Sequence, residues 1–114
     1  MQFVLLIYQN WKWIEEGLSE TELAELGKEY AKVGATPGLT PGLPLGFPKE
    51  ATTVRVQDGK TMTSEGTVGG PSATVGSYYL FEADDKAAAI EFAAKIPAAR
   101  LGGAIEIRPV GRYW

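Results

Sequence analysis

Residues 52–82 read TTVRVQDGKTMTSEGTVGGPSATVGSYYLFE, and this stretch decides the fold. Val54 and Val56 alternate with Arg55 and Gln57, which gives a strand with one apolar and one polar face. Asp58-Gly59 is the two-residue signal for a type I′ turn, because glycine takes a positive φ at little cost. Lys60 to Ser64 then returns as the partner strand. The next residues, Glu65-Gly66-Thr67-Val68-Gly69-Gly70-Pro71, carry three glycines and a proline, so irregular backbone is expected. Order resumes at Gly76, and Ser77-Tyr78-Tyr79-Leu80-Phe81 is aromatic and strand-like.

On the amino-terminal side, Phe3-Val4-Leu5-Leu6-Ile7-Tyr8 is an unbroken apolar run of strand length, suited to the centre of a sheet. Trp11 and Trp13 follow, as a hydrophobic lid or the mouth of a pocket. Ser19-Glu20-Thr21-Glu22 is a capping box, with a hydroxyl at the N-cap and a carboxylate three residues on. Leu23, Leu26, Tyr30 and Val33 then recur on one helical face. Thr36-Pro37-Gly38-Leu39 is repeated as Thr40-Pro41-Gly42-Leu43. Proline cannot donate to a sheet ladder, so this segment predicts an edge strand around Leu43–Leu45, or polyproline-like chain.

On the carboxy-terminal side, Asp84 or Asp85 can cap a second helix. Ala89, Phe92, Ala93 and Ile96 form its buried stripe, and Pro97 ends it. Ala104 to Pro109 alternates cleanly. Ile105 and Ile107 face one way, Glu106 and Arg108 the other. The order β-α-(β)-β-β-β-α-β predicts a ferredoxin-like α+β sandwich, with a mainly antiparallel sheet and two helices on one face.

The chain has 114 residues and reads as a single domain, 1–114. A net charge of −3 without a basic run argues against nucleic-acid binding. There is neither cysteine nor histidine. This excludes disulfides, thiolate nucleophiles, serine–histidine triads and the commonest metal ligands. No metal and no cofactor is expected. The glycines at 66, 69 and 70 do not form a dinucleotide fingerprint. The run Phe3–Tyr8 is too short to span a membrane, and the reading is a cytoplasmic protein.

The order ATTVRV-DGK, then an acid-glycine pair, then G-x-YYL resembles the DGPF domain family, related to the YCII-like proteins. FVLLIY near the start and PAARLGGAIEIRPV near the end resemble it too, so the likeness covers most of the chain. The family's Asp-Gly-Pro-Phe falls on Glu65, Gly66, Thr67 and Val68 without a gap. Glu65 replaces the aspartate, Thr67-Val68 replaces Pro-Phe, and neutral GGPSAT stands where an acidic, lysine-bearing stretch usually follows. The resemblance implies a dimeric α+β barrel, in which two sheets enclose a pocket. Some members are encoded beside extracytoplasmic-function sigma factors, which implies an accessory or regulatory role. YCII-like relatives are suspected enzymes whose proposed site uses a histidine and an aspartate; this chain lacks the histidine.

Strand parity assigns Arg55, Glu106, Arg108 and one of Tyr78 or Tyr79 to the sheet face away from the helices. An arginine there can clamp a carboxylate or phosphate, or pair with a carboxylate at an interface. The candidate ligand-binding residues are therefore Arg55, Tyr78, Tyr79, Glu106 and Arg108. Glu65 is the candidate catalytic acid or base, since it adjoins the flexible loop. Two function classes follow. One is an accessory or regulatory protein that binds a small anionic or aromatic ligand. The other is a small lyase-, isomerase- or hydrolase-like enzyme using Glu65 or Glu106. An uncovered sheet face and an aromatic carboxy terminus also predict a homodimer.

Overall fold

The computed structural model describes residues 1–10, 16–69 and 75–112. Trp11, Trp13, the 70–74 part of the glycine-rich loop, and the last two aromatic residues lie outside the described residues. Four strands form the main sheet: β1 (Gln2–Tyr8), β2 (Leu39–Pro41), β5 (Val75–Glu82) and β6 (Ala104–Pro109), in the order β2-β5-β1-β6. Every pairing in it is antiparallel. Among the described residues, two helices, α1 (Glu20–Gly34) and α2 (Lys86–Ala93), cover one face. The molecule is α+β, consistent with a ferredoxin-like arrangement. Among the described residues, no helix is long and apolar enough to cross a membrane.

The apolar run of β1 takes the central place, with β5 on one side and β6 on the other. Phe3, Leu5 and Ile7 point to the helices and are buried. They pack with Tyr79 and Phe81 of β5, Val33 of α1, and Ala89 and Phe92 of α2. The Phe81 and Phe92 rings stack with centroids 4.4 Å apart. Alanine at 89 and 93 lets α2 lie close to the sheet, since a methyl group is the whole side chain. Burying each large side chain here contributes about 1.5–3 kcal/mol.

Both helix starts are capped by the expected residues. Ser19 Oγ accepts from the Glu22 amide at 3.1 Å and donates to Glu22 Oε1. Asp85, of the two candidate aspartates, accepts from the Ala88 amide at 2.9 Å. The α1 stripe is only partly used: Val33 is buried and Tyr30 packs on the core, while Leu23 is exposed. Among the described residues, nothing buries the side chains at positions 20–25 of α1.

Two expectations are corrected. The edge strand is Leu39–Pro41, the first copy of the repeat, and not Leu43–Leu45. Gly38 brings the chain against β5 at the start of this strand. It has φ +83°, and its carbonyl accepts from the Glu82 amide at 2.9 Å. A Cβ at that position would press on the Glu82 carbonyl, so glycine is required for this approach to β5. The chain continues beside β5 after the strand ends, through the Gly42 amide to the Tyr78 carbonyl and the Leu45 amide to the Gly76 carbonyl.

The second correction concerns β3 (Thr52–Gln57) and β4 (Lys60–Glu65). They form the expected hairpin, and the turn has positive φ at Asp58 and Gly59 as type I′ requires. They do not join the main sheet but make a separate two-stranded one. Consequently Arg55 is not on the open face of the main sheet.

Candidate functional site

The face of the main sheet away from the helices is assembled by register. Thr40, Leu80, Val4 and Arg108 form one row across β2, β5, β1 and β6. Tyr78, Leu6 and Glu106 form the next. Of the two tyrosines, Tyr78 is exposed on this face and Tyr79 is buried on the other. Burial pushes the Tyr79 phenol above its ordinary value, and the nearby Tyr30 phenol adds to the shift. Tyr79 therefore belongs to the core. The expected charges of β6 are present: Arg108 Nε lies 4.0 Å from Glu106 Oε2. Their side chains are 70% and 48% exposed. At that exposure the pair contributes roughly 0–1 kcal/mol, and the guanidinium stays accessible to another anion.

The hairpin carries the other two candidates. Arg55 and Glu65 are both exposed on it. The structure thus separates the five proposed binding residues. Tyr78, Glu106 and Arg108 share the open face, Tyr79 is in the core, and Arg55 is on the hairpin.

A cleft of about 420 Å³ lies elsewhere, between the proline-glycine segment and the loop after β4. Its first wall is Leu45, Gly46, Phe47, Pro48, Glu50 and Ala51. The amide of Leu45 fixes this wall to β5. Pro48 then opens a 3₁₀ turn, Pro48–Glu50, a position that suits a residue with no amide proton. Glu50 Oε2 accepts from the Phe47 amide at 2.7 Å. Lys49 Nζ sits 5.7 Å from the centroid of the Phe47 ring, within cation–π reach. The opposite wall is Thr67, Val68 and Gly69, and Val75 of β5 completes the lining.

Two hydrogen bonds hold the walls together. The Gly66 amide donates to the Ala51 carbonyl at 2.8 Å, and Thr53 Oγ1 donates to the Gly66 carbonyl at 2.8 Å. Thr53 is buried, which makes its satisfied hydroxyl a fixed joint. Glu50 is the one ionisable side chain in the described lining. Apart from Glu50 and Thr67 the described side chains lining the cleft are apolar, and its volume falls in the range of small-molecule sites.

Sequence reasoning found the loop of this cleft but not the cleft. Gly66, Thr67 and Val68 were singled out as the segment aligned with Asp-Gly-Pro-Phe, and Thr67 and Val68 do line it. Glu65 does not, since the strand ends with it and its side chain faces solvent. Glu50 and Phe47 were missed. The signal available for them was the Phe-Pro-x-Glu spacing, which favours a turn with Pro at its first position and a carboxylate reaching back to the preceding amide.

A second, smaller cleft of about 180 Å³ is bordered by Leu18, Leu26 and Leu101. Arg100 Nη2 bridges both oxygens of Glu29 at its rim, at 2.8 and 2.6 Å. Among the described residues, no group of three or more acidic side chains is placed to hold a metal ion.

A family model described as the YCII-related domain matches residues 1–113. None of the curated proteins matches the chain.

Proposed function

The chain belongs to the YCII-related domain family, and from that premise we propose that it binds a small aromatic ligand as an accessory or regulatory factor. The observation that carries this reading is the 420 Å³ apolar cleft between residues 45–51 and 67–69. The segment aligned with the family's Asp-Gly-Pro-Phe supplies part of its wall. An aromatic ring suits Leu45, Phe47, Pro48 and Val68, and a donor group on the ring suits the Glu50 carboxylate. An anion does not, because the charge in the described lining is negative. The cytoplasmic setting and the homodimer expected from the sequence remain part of this proposal. The dimer's support is the sheet face that, among the described residues, no helix covers, with Val4, Leu6, Tyr78 and Leu80 on it.

A second reading, an anion on the open face, is favoured by one observation: the exposed Arg108 guanidinium, 4.0 Å from the Glu106 carboxylate. The enzyme alternative rests on Glu65 or Glu106, and neither lines the cleft.

Thermal-shift titration separates these. Indole and benzylamine are expected to raise Tm saturably, because a ligand bound only to the folded state stabilises it. Val68→Trp, which fills the cleft, is expected to abolish the shift. A shift with benzoate or inorganic phosphate that is lost in Arg108→Ala would favour the open face instead. No shift with any of the four probes would overturn the binding proposal.

A further inference from the structure

The β3–β4 hairpin stands apart from the body of the protein. Among the described residues, no helix or other strand packs extensively on it. The hydrogen bonds at its base, from the Gly66 amide to the Ala51 carbonyl and from Thr53 Oγ1 to the Gly66 carbonyl, join its own two ends and not the main sheet. A two-stranded hairpin without a third strand or a packed face is marginally stable in water. Among the described residues, no strand pairs with either of its backbone edges, which folded proteins usually cover or blunt. One of its faces is an apolar ridge: Val54 and Val56, paired with Thr63 and Thr61. Both valines are exposed.

The surface arithmetic points the same way. The Cα radius of gyration is 16.0 Å, against roughly 13 Å for a compact domain of this length. The accessible surface is 8071 Å², whereas a compact monomer of its mass exposes about 6,100 Å². The excess of about 2,000 Å² per chain is more than the roughly 800 Å² that each partner buries in a standard interface, and for two copies it falls in the range of obligate homodimers. The same chain also holds the complementary partner, since the open sheet face carries Val4, Leu6, Tyr78 and Leu80 beside one another. A two-fold axis satisfies both surfaces at once: the ridge of each copy meets the sheet face of the other.

We propose that the β3–β4 hairpin is an intersubunit arm whose Val54–Val56 ridge covers the open sheet face of a second copy of this chain. This rests on the homodimer included in the functional reading above, and it names the element that makes it. The arm would carry Glu65, which shares the ridge face through its pairing with Thr52, toward the Tyr78, Glu106 and Arg108 face of the other copy, whereas Arg55 lies on the opposite face of the hairpin.

The test is sedimentation equilibrium at micromolar concentration on the wild type, Val54→Glu/Val56→Glu and Tyr78→Glu, with far-UV circular dichroism as the fold control. The wild type is expected to be dimeric. Each charged variant is expected to keep its secondary structure and to weaken dimerisation by more than about tenfold, as loss of a central apolar contact does. The chain has no cysteine, so Val56→Cys mixed with Leu80→Cys should give a disulfide-linked pair, and this trapping does not depend on the charged variants folding. A wild-type monomer would overturn both the dimer and the arm. A dimer weakened by Tyr78→Glu but not by the hairpin variant, with no trapped pair, would keep the dimer and overturn the arm.

Discussion

Val54 and Val56 on β3 and Ile105 and Ile107 on β6 sit in the same kind of alternating sequence. The isoleucines are partly buried and pack against the core, whereas the valines are 60% and 70% exposed. Alternation decides which residues share a face; it does not decide what that face meets. The β6 strand acquires a partner, β1, whose own neighbours are already covered by helices. The hairpin closes on itself through a two-residue turn and forms all its pairings locally. Its pairing is local, and among the described residues nothing buries Val54 and Val56.

The widest expected difference between the two regions is in core truncation. Leu5 is fully buried in β1. Leu5→Ala should cost about 2–5 kcal/mol, from lost transfer free energy and the cavity left behind. Val54→Ala should change the stability of the monomer by no more than about 0.5 kcal/mol, as at ordinary surface positions. Urea unfolding followed by circular dichroism, at concentrations low enough to keep the chain monomeric, measures both. Equal losses would erase the distinction between sheet and hairpin.

The same contrast shows what was legible in the sequence. Elements whose signal is local were readable: the Ser19 cap, an aspartate cap at 84 or 85, the Asp58-Gly59 turn, the apolar run of β1, the Ile105/Ile107 alternation and the Ala89/Phe92/Ala93 stripe; the second helix ends at Ala93 and not at Pro97, so Ile96 is buried outside it. Elements that depend on long-range choice were not. The repeated Thr-Pro-Gly-Leu offers two equivalent edge strands, and both copies bring a glycine against β5, so the repeat alone does not say which one pairs. Whether β3 and β4 join the sheet is a matter of connection geometry, not composition. The site was half legible for the same reason. Parity placed Glu106 and Arg108 correctly because β6 pairs as expected, and it misassigned Arg55 because β3 belongs to another sheet. The cleft brings Phe47 and Glu50 against Thr67 and Val68 across 17 or more positions, which no local pattern encodes.

A smaller effect, confined to alkaline solution, sharpens the account of the core. Tyr79 keeps its proton above the pH at which an exposed phenol, with its ordinary value of 10.0, loses it. In that range the unfolded chain binds fewer protons than the folded one, so stability falls as pH rises past the unfolded value. Below it the term is fully present and constant. Stability measured by urea unfolding should therefore decline more steeply above pH 10 in the wild type than in Tyr79→Phe. Identical declines would mean that Tyr79 is not shielded by the core, which would break the assignment of Tyr78 and Tyr79 to opposite faces.

The central claim is that the four-stranded sheet stands on its own and the hairpin does not. Amide hydrogen exchange, read by mass spectrometry at two protein concentrations, tests it most directly. Amides of β1 and β5 should exchange only on global unfolding, since they lie in the packed core. Amides of β3 and β4 should exchange rapidly in a dilute monomeric sample and become protected as concentration rises. Hairpin amides as slow as those of β1 in the dilute sample would contradict the account.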